Sequence, residues 1–544
     1  MKQNYMVRIL NNKFLCLLTY SFNYTSLLME KVNILWADDE IELLKPHILF
    51  LKEKGYNVNT VNNGGDAIDL FRAEDFDLVF LDENMPGMSG LETLQELKSI
   101  RPEVPVVMIT KSEEEHIMEE AIGSKISDYL IKPVNPNQIL LSIKKNIDNK
   151  RIISEKTTSA YQQEFRNIGM TLSDDLNFEE WTEIYKKIIY WEMELQSSDN
   201  SMEEILKMQK SEANARFCDF IEDNYLDWLS GTVKEKPILS HTLFKNKVAP
   251  DITKNESTFF IVIDNLRFDQ WKIIQPLITE IYKVESEEIF YSILPSATHY
   301  ARNALFAGLM PSEIEKLHPK LWVGEDEEGG KNMHEEELMA EQLKRLNMNI
   351  KFSYNKITNL AAGKKLADNL KNLMTNKMNN IVYNFVDMLS HARTDMEVIR
   401  ELADDESAYR SITLSWFEHS PLFDIIKKAA EYKAPIVIAT DHGTIRVKEP
   451  SQVVGDKNTT TNLRYKQGKN LRYEAKEVFE ITDPAKAFLP RVNVSTRYIF
   501  AKEDKFFAYP NNYNYYVNFY RNTFQHGGLS MEECLIPLIK LSPK

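Results

Sequence analysis

Six residues spread along the C-terminal half could build one dinuclear metal site: Asp264, Asp387, His391, Asp441, His442 and His526. Each stands where an apolar, strand-like run gives way to polar residues. Asp264 ends FFIVID, Asp387 ends IVYNFVD with His391 four residues on, Asp441 and His442 end PIVIATDH, and His526 opens HGGLSMEE. In an open α/β sheet the strand ends collect along one edge, so residues distant in sequence meet there. Carboxylate and imidazole are ligands that zinc accepts. Two such ions can hold both oxygens of an in-line phosphoryl displacement. The same donors also take manganese, so the ligand types alone do not select the metal.

A nucleophile lies among these residues. SILPSATHYARNALFAGLMP reads as a strand, a tight turn and a helix beginning near Ala297. Thr298 then falls in the first helical turn, where free backbone N–H groups and the dipole favour an anion. A threonine hydroxyl is unreactive alone, and metal coordination is one way to activate it. Arg302 follows on the same helical face, and both it and Asn303 could reach phosphoryl oxygens. Ser296, two residues upstream in the turn, is the fallback nucleophile. Glu532 and Glu533 follow His526 closely and read as supporting or solvent-facing groups rather than ligands.

A second set of polar residues punctuates the N-terminal region. Strand-like runs VNILWAD, YNVNTV, FDLVFLD, VPVVMIT and SDYLIK alternate with helical stretches, the pattern of a parallel sheet with crossover helices. Asp38 and Asp39 follow the first strand, Asp82 ends the third, Thr110 the fourth, and Lys132 the fifth. Three converging carboxylates suit Mg²⁺, which prefers oxygen ligands. Asp82 is then a nucleophile toward phosphate, with Lys132 and Thr110 offering a cation and a hydroxyl to the phosphoryl oxygens.

The remaining composition sets limits. A chain of 544 residues accommodates about three domains. The formal net charge of -15 argues against duplex-DNA binding, which relies on Lys and Arg facing phosphates. A small anionic substrate stays possible because a local metal charge overrides the global field. The cysteines Cys16, Cys218 and Cys534 show no CxxC spacing, which fits a reducing compartment and excludes thiolate zinc sites. No apolar run reaches the length of a membrane span. Residues 1–28 faintly imitate a signal peptide, but Met29 stands directly before the first strand. We read 1–28 as a non-native or disordered extension, 29–150 as the first module, 151–245 as a helical bundle linker and 246–544 as the third module.

In the linker, Phe178, Trp181, Ile184, Tyr185 and Ile188 recur at helical spacing. A second helical run is expected from Met202 to Met208, and a third through Phe217, Phe220, Ile221, Tyr225 and Trp228. Asp174 or Asp175, Ser198 and Ser211 are the expected caps, and Gly231 marks the exit. The polar segment 444–475 carries Arg446, Lys448, Lys457, Arg464, Lys466, Lys469 and Arg472, with Tyr465 and Tyr473 among them. It directly follows the Asp441-His442 pair and is expected to overhang the site, where it would suit a substrate with several phosphates and stackable bases. A solvated surface loop is the alternative.

Residues 29–150 resemble the receiver domain of bacterial two-component response regulators, most closely in LDENMPGMSGLE around Asp82. The resemblance implies phosphorylation on Asp82, Mg²⁺ held by Asp38, Asp39 and Asp82, phosphoryl contacts from Lys132 and Thr110, and Tyr129 as the switch aromatic. A degenerate receiver that binds nothing is the competing reading, and all five chemical positions are intact against it.

Roughly residues 250–544 resemble the alkaline phosphatase superfamily, specifically its PglZ branch, anchored on LPSAT, DMLSH, ATDHG and HGGLSMEE. This implies two Zn²⁺ per chain, one on Asp264, Asp441 and His442 with Thr298 bridging toward it, the other on Asp387, His391 and His526. Thr298 would attack phosphorus and form a covalent intermediate that water hydrolyses.

The three modules in this order resemble the PorX-type response regulators of the type IX secretion system. That likeness implies a sensor histidine kinase of the PorY kind, phosphorylation-promoted homodimers, and contacts with a sigma factor and a secretion-motor protein. The expected fold is α/β multidomain: a (βα)5 receiver, a helical-bundle linker and an alkaline-phosphatase-like α/β domain. The expected function is a cytoplasmic, zinc-dependent phosphodiesterase acting on oligonucleotides or cyclic nucleotides. A catalytically silent, metal-stabilised scaffold switched by phosphorylation is the alternative. A phosphomonoesterase or sulfatase would share the metals and differ in the pocket, and a DNA-binding transcription factor lacks a helix-turn-helix signature.

Overall fold

The computed structural model describes residues 32–110, 126–196, 202–325, 327, 329–384, 386–387, 405–456 and 459–544, apart from the side chains of 147–159. The expected ligand His391, the cap Ser198, the flap residue Lys457, Cys16 and the extension 1–28 lie outside these residues. The chain divides into two compact units between Thr157 and Thr158.

In the first unit five strands, β1 (Asn33–Ala37), β2 (Asn57–Val61), β3 (Leu78–Asp82), β4 (Val106–Thr110) and β5 (Asp128–Ile131), form a parallel sheet ordered β2-β1-β3-β4-β5. Successive strand residues point to opposite faces. Leu35, Val79, Leu81, Val106 and Met108 therefore pack on one face, and Ile34, Trp36, Leu78, Phe80, Val107 and Ile109 on the other. Helices α1 (Lys45–Glu53), α2 (Gly64–Ala73) and α3 (Gly90–Ile100) connect β1 to β4 in turn, and α4 (Pro136–Ile143) follows β5. Three of the four begin at polar caps, and α1 begins after Leu44 without one. Ser89 and Glu92 form a reciprocal capping box on α3, and Asn135 and Gln138 do the same on α4.

The linker region is helical: α5 (Asn149–Leu172), α6 (Phe178–Leu195) and α7 (Glu203–Ser230). Asn177, not Asp174 or Asp175, caps α6, accepting from the N–H groups of Glu179 and Glu180 at 2.9 and 3.0 Å. The two expected runs after Met202 are one unbroken helix. Nothing between Met208 and Phe217 breaks a helix, since QKSEANAR contains neither Gly nor Pro, and Ser211 sits in the helix interior rather than at a cap. Gly231, at φ 75°, ends α7 in the left-handed conformation that glycine adopts at low cost.

The C-terminal part of the second unit is built on six strands: β6 (Thr258–Ile263), β7 (Tyr282–Tyr291), β8 (Phe352–Ile357), β9 (Met378–Tyr383), β10 (Ile436–Ala439) and a C-terminal strand Leu535–Pro543. From β7 inward the order is β7, Leu535–Pro543, β10, β6, β9, β8. The four strands from β10 to β8 are parallel, while Leu535–Pro543 runs antiparallel to both of its neighbours. Every residue of β6, β9 and β10 is buried, as expected of central strands covered on both faces. Helices α8 (Phe268–Thr279), α9 (Thr298–Ala307), α10 (Glu335–Arg345), α11 (Glu406–Glu418) and α12 (Pro421–Glu431) are the main ones around it. The outcome is a mixed α/β multidomain chain: a five-stranded parallel sheet with its helices, a helical linker and a six-stranded α/β domain.

Candidate metal centres

In the receiver the parallel sheet brings its strand ends together. Asp38 follows β1 and is fully buried, Asp82 closes β3, and ligand atoms of Asp38, Asp39 and Asp82 lie within 4.8 Å of one another. Lys132, just beyond β5, places Nζ 2.9 Å from both Asp38 Oδ2 and Asp82 Oδ1. Burial raises the Asp82 carboxyl above the ordinary carboxylate range, while Lys132 pulls it back down. The Lys132 ammonium is held above its usual value because its two carboxylate partners outweigh burial. Thr110 is buried at the end of β4 and is hydrogen-bonded to the Tyr129 hydroxyl. Three carboxylates facing one point, with one lysine to compensate them, are a donor set that fits Mg²⁺.

The second centre lies where β6, β9 and β10 end. Asp264 follows β6 directly, and Asn265, at φ 63°, turns the chain away from the sheet. Asp441 follows β10 by two residues. Its Oδ1 accepts from the N–H groups of Asn265 at 3.3 Å and His442 at 3.1 Å, which leaves Oδ2 facing inward. Asp264, Asp441 and His442 are all fully buried, with one ligand atom from each lying within 4.8 Å of the others. Asp264 Oδ1 is buried without a hydrogen-bond donor. Such an oxygen beside a second carboxylate and an imidazole fits a divalent cation.

Thr298 opens α9, and its Oγ1 lies 2.9 Å from His442 Nε2. On the other side of that ring, Nδ1 lies 3.0 Å from the Gly443 carbonyl oxygen. A carbonyl only accepts, so Nδ1 carries a proton, and in the neutral imidazole, the form a metal takes, Nε2 presents a lone pair. The Thr298 hydroxyl is therefore the donor to His442. Stacked on His442 is the ring of His526, with centroids 4.2 Å apart and planes at 16°. His526 Nε2 lies 3.6 Å from Asp387 Oδ1, four residues beyond β9. Five of the six expected metal ligands thus meet at this edge, and the sixth, His391, is outside the described residues.

The neighbours occupy specific places. Arg302 is fully buried, with Nε donating to Asp441 Oδ2 at 2.9 Å and a second nitrogen paired with Asp264. A third nitrogen is 3.5 Å from Glu335 Oε1. Burial pushes the Asp264 carboxyl well above its ordinary range, whereas at Asp441 the Arg302 charge overcomes burial and holds the carboxyl low. Asn303 turns away from the carboxylates: its amide donates to the His299 and Lys331 carbonyls at 2.8 and 3.1 Å. Ser296 is buried and donates to the Gly528 carbonyl at 2.7 Å.

Glu532 and Glu533 are both buried, not solvent-facing. Glu533 accepts from Arg464 Nε and Nη2 at 3.1 and 2.6 Å and from Gly528 N at 2.8 Å. That pairing corrects the expectation for the basic segment. Arg464 is spent on Glu533, Lys466 is buried beneath Tyr509, and the Tyr465 hydroxyl donates to Glu325 at 2.7 Å. Part of 444–475 is a strand, Tyr465–Gly468, whose inward side chains are packing groups. Glu335, Glu325 and Asn384, whose Oδ1 accepts from Arg302 at 3.5 Å, are not among the expected residues. Glu335 opens α10 without an apolar run to announce it, and only its ion pairs with Arg302 and Lys356 mark it.

With this geometry in view, the comparisons define the class of protein. Residues 243–541, more than half of the chain, match the family described as the BREX system PglZ alkaline phosphatase-like domain. The chain belongs to that family. Residues 34–144 match the response regulator receiver domain and residues 151–229 the PorX response regulator linker domain, and the three in this order mark a PorX-type response regulator.

Among curated proteins it is similar to the transcriptional regulatory protein ZraR of Klebsiella oxytoca, 34% identical over 140 residues, covering 26% of this chain and 32% of that one. It is also similar to the cell cycle transcriptional regulator CtrA of Caulobacter vibrioides, 29% identical over 112 residues, covering 21% and 48%. The chain thus spans about a third of ZraR and half of CtrA. Among solved structures, a CheY-like receiver from Methanospirillum hungatei is 28% identical with a TM-score of 0.22, covering 22% of this chain and 96% of that one. The response regulator TrrA of Thermotoga maritima is 29% identical with a TM-score of 0.20, covering 21% and 97%.

Proposed function

We propose that this chain is a response regulator phosphorylated on Asp82 whose C-terminal domain is a zinc-dependent phosphodiesterase of oligonucleotide or cyclic-nucleotide substrates, with Thr298 as nucleophile. The observation that carries the reading is the 2.9 Å contact between Thr298 Oγ1 and His442 Nε2 at the start of α9, beside the buried Asp264 and Asp441. Asp264, Asp441 and His442 would hold one ion, and Asp387, His391 and His526 the other. When bound, the ions supply Lewis acidity for the phosphoryl oxygens. The chain's own residues do the rest. His442, anchored through Nδ1, would give its Nε2 lone pair to the ion, and Thr298 Oγ1, 2.9 Å from that nitrogen, would then lie beside the same ion. The first N–H groups of α9 face the position an anion would take. Arg302 compensates Asp264 and Asp441 and so holds their geometry, while Asn303 fixes the loop at Lys331 and Asn332 against α9.

In the receiver, Asp38, Asp39 and Asp82 would hold Mg²⁺, Lys132 and Thr110 would meet the phosphoryl group, and Tyr129, through Thr110, would report it. We read the domains as 29–150, 151–245 and 246–544. The PorX-type order of modules supports a PorY-like kinase, a role in type IX secretion, contacts with a sigma factor and a motor protein, and homodimers promoted by phosphorylation.

A catalytically silent scaffold is the second reading. Arg302 favours it, since one buried guanidinium already compensates both carboxylates. Hydrolysis of short linear and cyclic oligonucleotides by the full chain with zinc, beside Thr298→Val, separates the two. Cleavage by the parent alone supports the enzyme. No cleavage by either protein, with zinc bound and Asp82 phosphorylated, supports the scaffold.

A further inference from the structure

His526 opens a short segment, 526–534, that turns from Gln525 and ends in one helical turn, Met531–Cys534, before the C-terminal strand. What holds this turn decides where the imidazole points. Part of the support is local: Glu533 accepts from Gly528 N at 2.8 Å and from the Ser530 hydroxyl at 2.7 Å. Another part comes from the start of α9, through Ser296 and the Gly528 carbonyl. The remainder comes from α7, a helix outside the residues that match the PglZ family.

Three consecutive turns of one face of α7 reach the 526–533 segment. Asn214 uses both ends of its amide there: Oδ1 accepts from Met531 N at 2.8 Å, and Nδ2 donates to Glu532 Oε2 at 2.8 Å. One turn earlier, Lys210 Nζ is 3.1 Å from Glu532 Oε1 and 2.8 Å from Glu192 of α6. One turn later, the Cys218 thiol donates to the Leu529 carbonyl at 3.2 Å. Asn214, Cys218 and Glu532 are buried. Apolar side chains would secure simple packing at lower desolvation cost. A buried amide that meets one donor and one acceptor instead fixes position and orientation together.

The same turn also bears on the other metal ligands. Gly443, next to His442, packs so close to the Glu532 carbonyl oxygen that a Cβ there would come within 2.0 Å of it. Gly443 N donates to the Glu533 carbonyl at 3.1 Å. Displacing Glu532 therefore moves the backbone against which both His526 and His442 are set.

We propose that Asn214, with Lys210 and Cys218, is a positioning residue for the His526 side of the metal centre, so that the linker helix α7 sets the affinity of the second ion. The inference rests on the reading that the site binds two ions. Groups that orient metal ligands from outside the coordination sphere typically change affinity about 10- to 100-fold when removed.

The test uses the full chain and zinc alone, titrated against a chromophoric chelator. Asn214→Leu keeps the volume and removes both bonds. In the Asn214→Asp/Glu532→Gln double variant the carboxylate at 214 still accepts from Met531 N, and the bond between 214 and 532 re-forms with donor and acceptor exchanged. The expected result is two ions in the parent, with the second weakened about tenfold or more in Asn214→Leu, the first weakened clearly less because Asp264 and Asp441 are untouched, and recovery in the double variant. Equal second-ion affinity in the parent and Asn214→Leu overturns the proposal, as does an equal loss of both ions, which would report general destabilisation. A parent that binds no zinc, or a His526→Ala variant that keeps two ions, would instead overturn the two-ion reading and the proposal with it.

Discussion

Arg302 Nε donates to Asp441 Oδ2 at 2.9 Å with neither side chain exposed, and the same guanidinium pairs with Asp264. Removing one partner of a buried pair strands the other charge, at a typical cost of about 3–5 kcal/mol. Arg302→Met should therefore lower the melting temperature of the metal-free protein sharply. Zinc should recover more of the loss in the variant than it adds to the parent, because the ion supplies the missing positive charge. Thermal denaturation of both proteins with and without zinc checks this, and an equal zinc response in the two would remove the compensating role from Arg302.

Thr298→Val should leave folding and metal content intact while lowering hydrolysis of an activated phosphodiester by about six orders of magnitude, the scale on which loss of a nucleophile acts. Thr298→Ser should retain measurable turnover, because the hydroxyl still reaches His442 Nε2. Full activity in the valine variant would assign the attack elsewhere. Ser296 is a poor substitute, with its hydroxyl committed to the Gly528 carbonyl.

Asp82→Asn should abolish incorporation of acid-labile phosphate from acetyl phosphate. Chelating Mg²⁺ should do the same to the parent, since Lys132 alone is left to compensate Asp38 and Asp82. Phosphate retained by the asparagine variant would move the acceptor to another carboxylate.

Much of this was legible in the sequence because central strands are uniformly apolar and a polar residue at their end is conspicuous. Asp38, Asp82, Asp264 and Asp441 announced themselves in that way. Helix boundaries were harder to read. Ser211 looked like a cap, yet nothing nearby breaks a helix, so α7 runs straight through. Arg464 and Lys466 looked like a substrate-facing flap, and composition carries no sign that a strand turns them inward. Glu335 and Asn214 were invisible for a related reason: their partners are hundreds of residues away or on separate elements, and only packing brings them together.

Lys466 offers a pH test away from the metal centre. It is 1% exposed, its Nζ donates to the Thr460 carbonyl at 2.9 Å, and burial pulls the ammonium down to about 7. Above its unfolded value near 10.5 the amine is neutral in both states and carries no penalty. As pH falls, the unfolded chain takes up the proton first, so stability is lost between about 10.5 and about 7 and levels off below that. The slope is at most about 1.4 kcal/mol per pH unit for one proton. Lys466→Met should flatten this part of the stability curve in chemical denaturation at pH 7 and pH 10. An unchanged pH dependence would show that Lys466 stays charged in the fold.

Gly443→Ala should disturb the Asp441-His442 turn, because the added methyl meets a backbone oxygen that has no side-chain freedom to yield. Weaker zinc binding and lower turnover are expected together, and wild-type affinity would show that the turn relaxes at little cost.

The joint between α7 and the His526 turn also carries its own chemical reporter. Cys218 is sealed there with its thiol pushed up to about 12, and Cys534 is buried nearby, so neither is a reactive thiolate at neutral pH while the joint is shut. Alkylation of Cys218, located by peptide mass mapping, would count openings of that joint over time without any label being engineered into the chain.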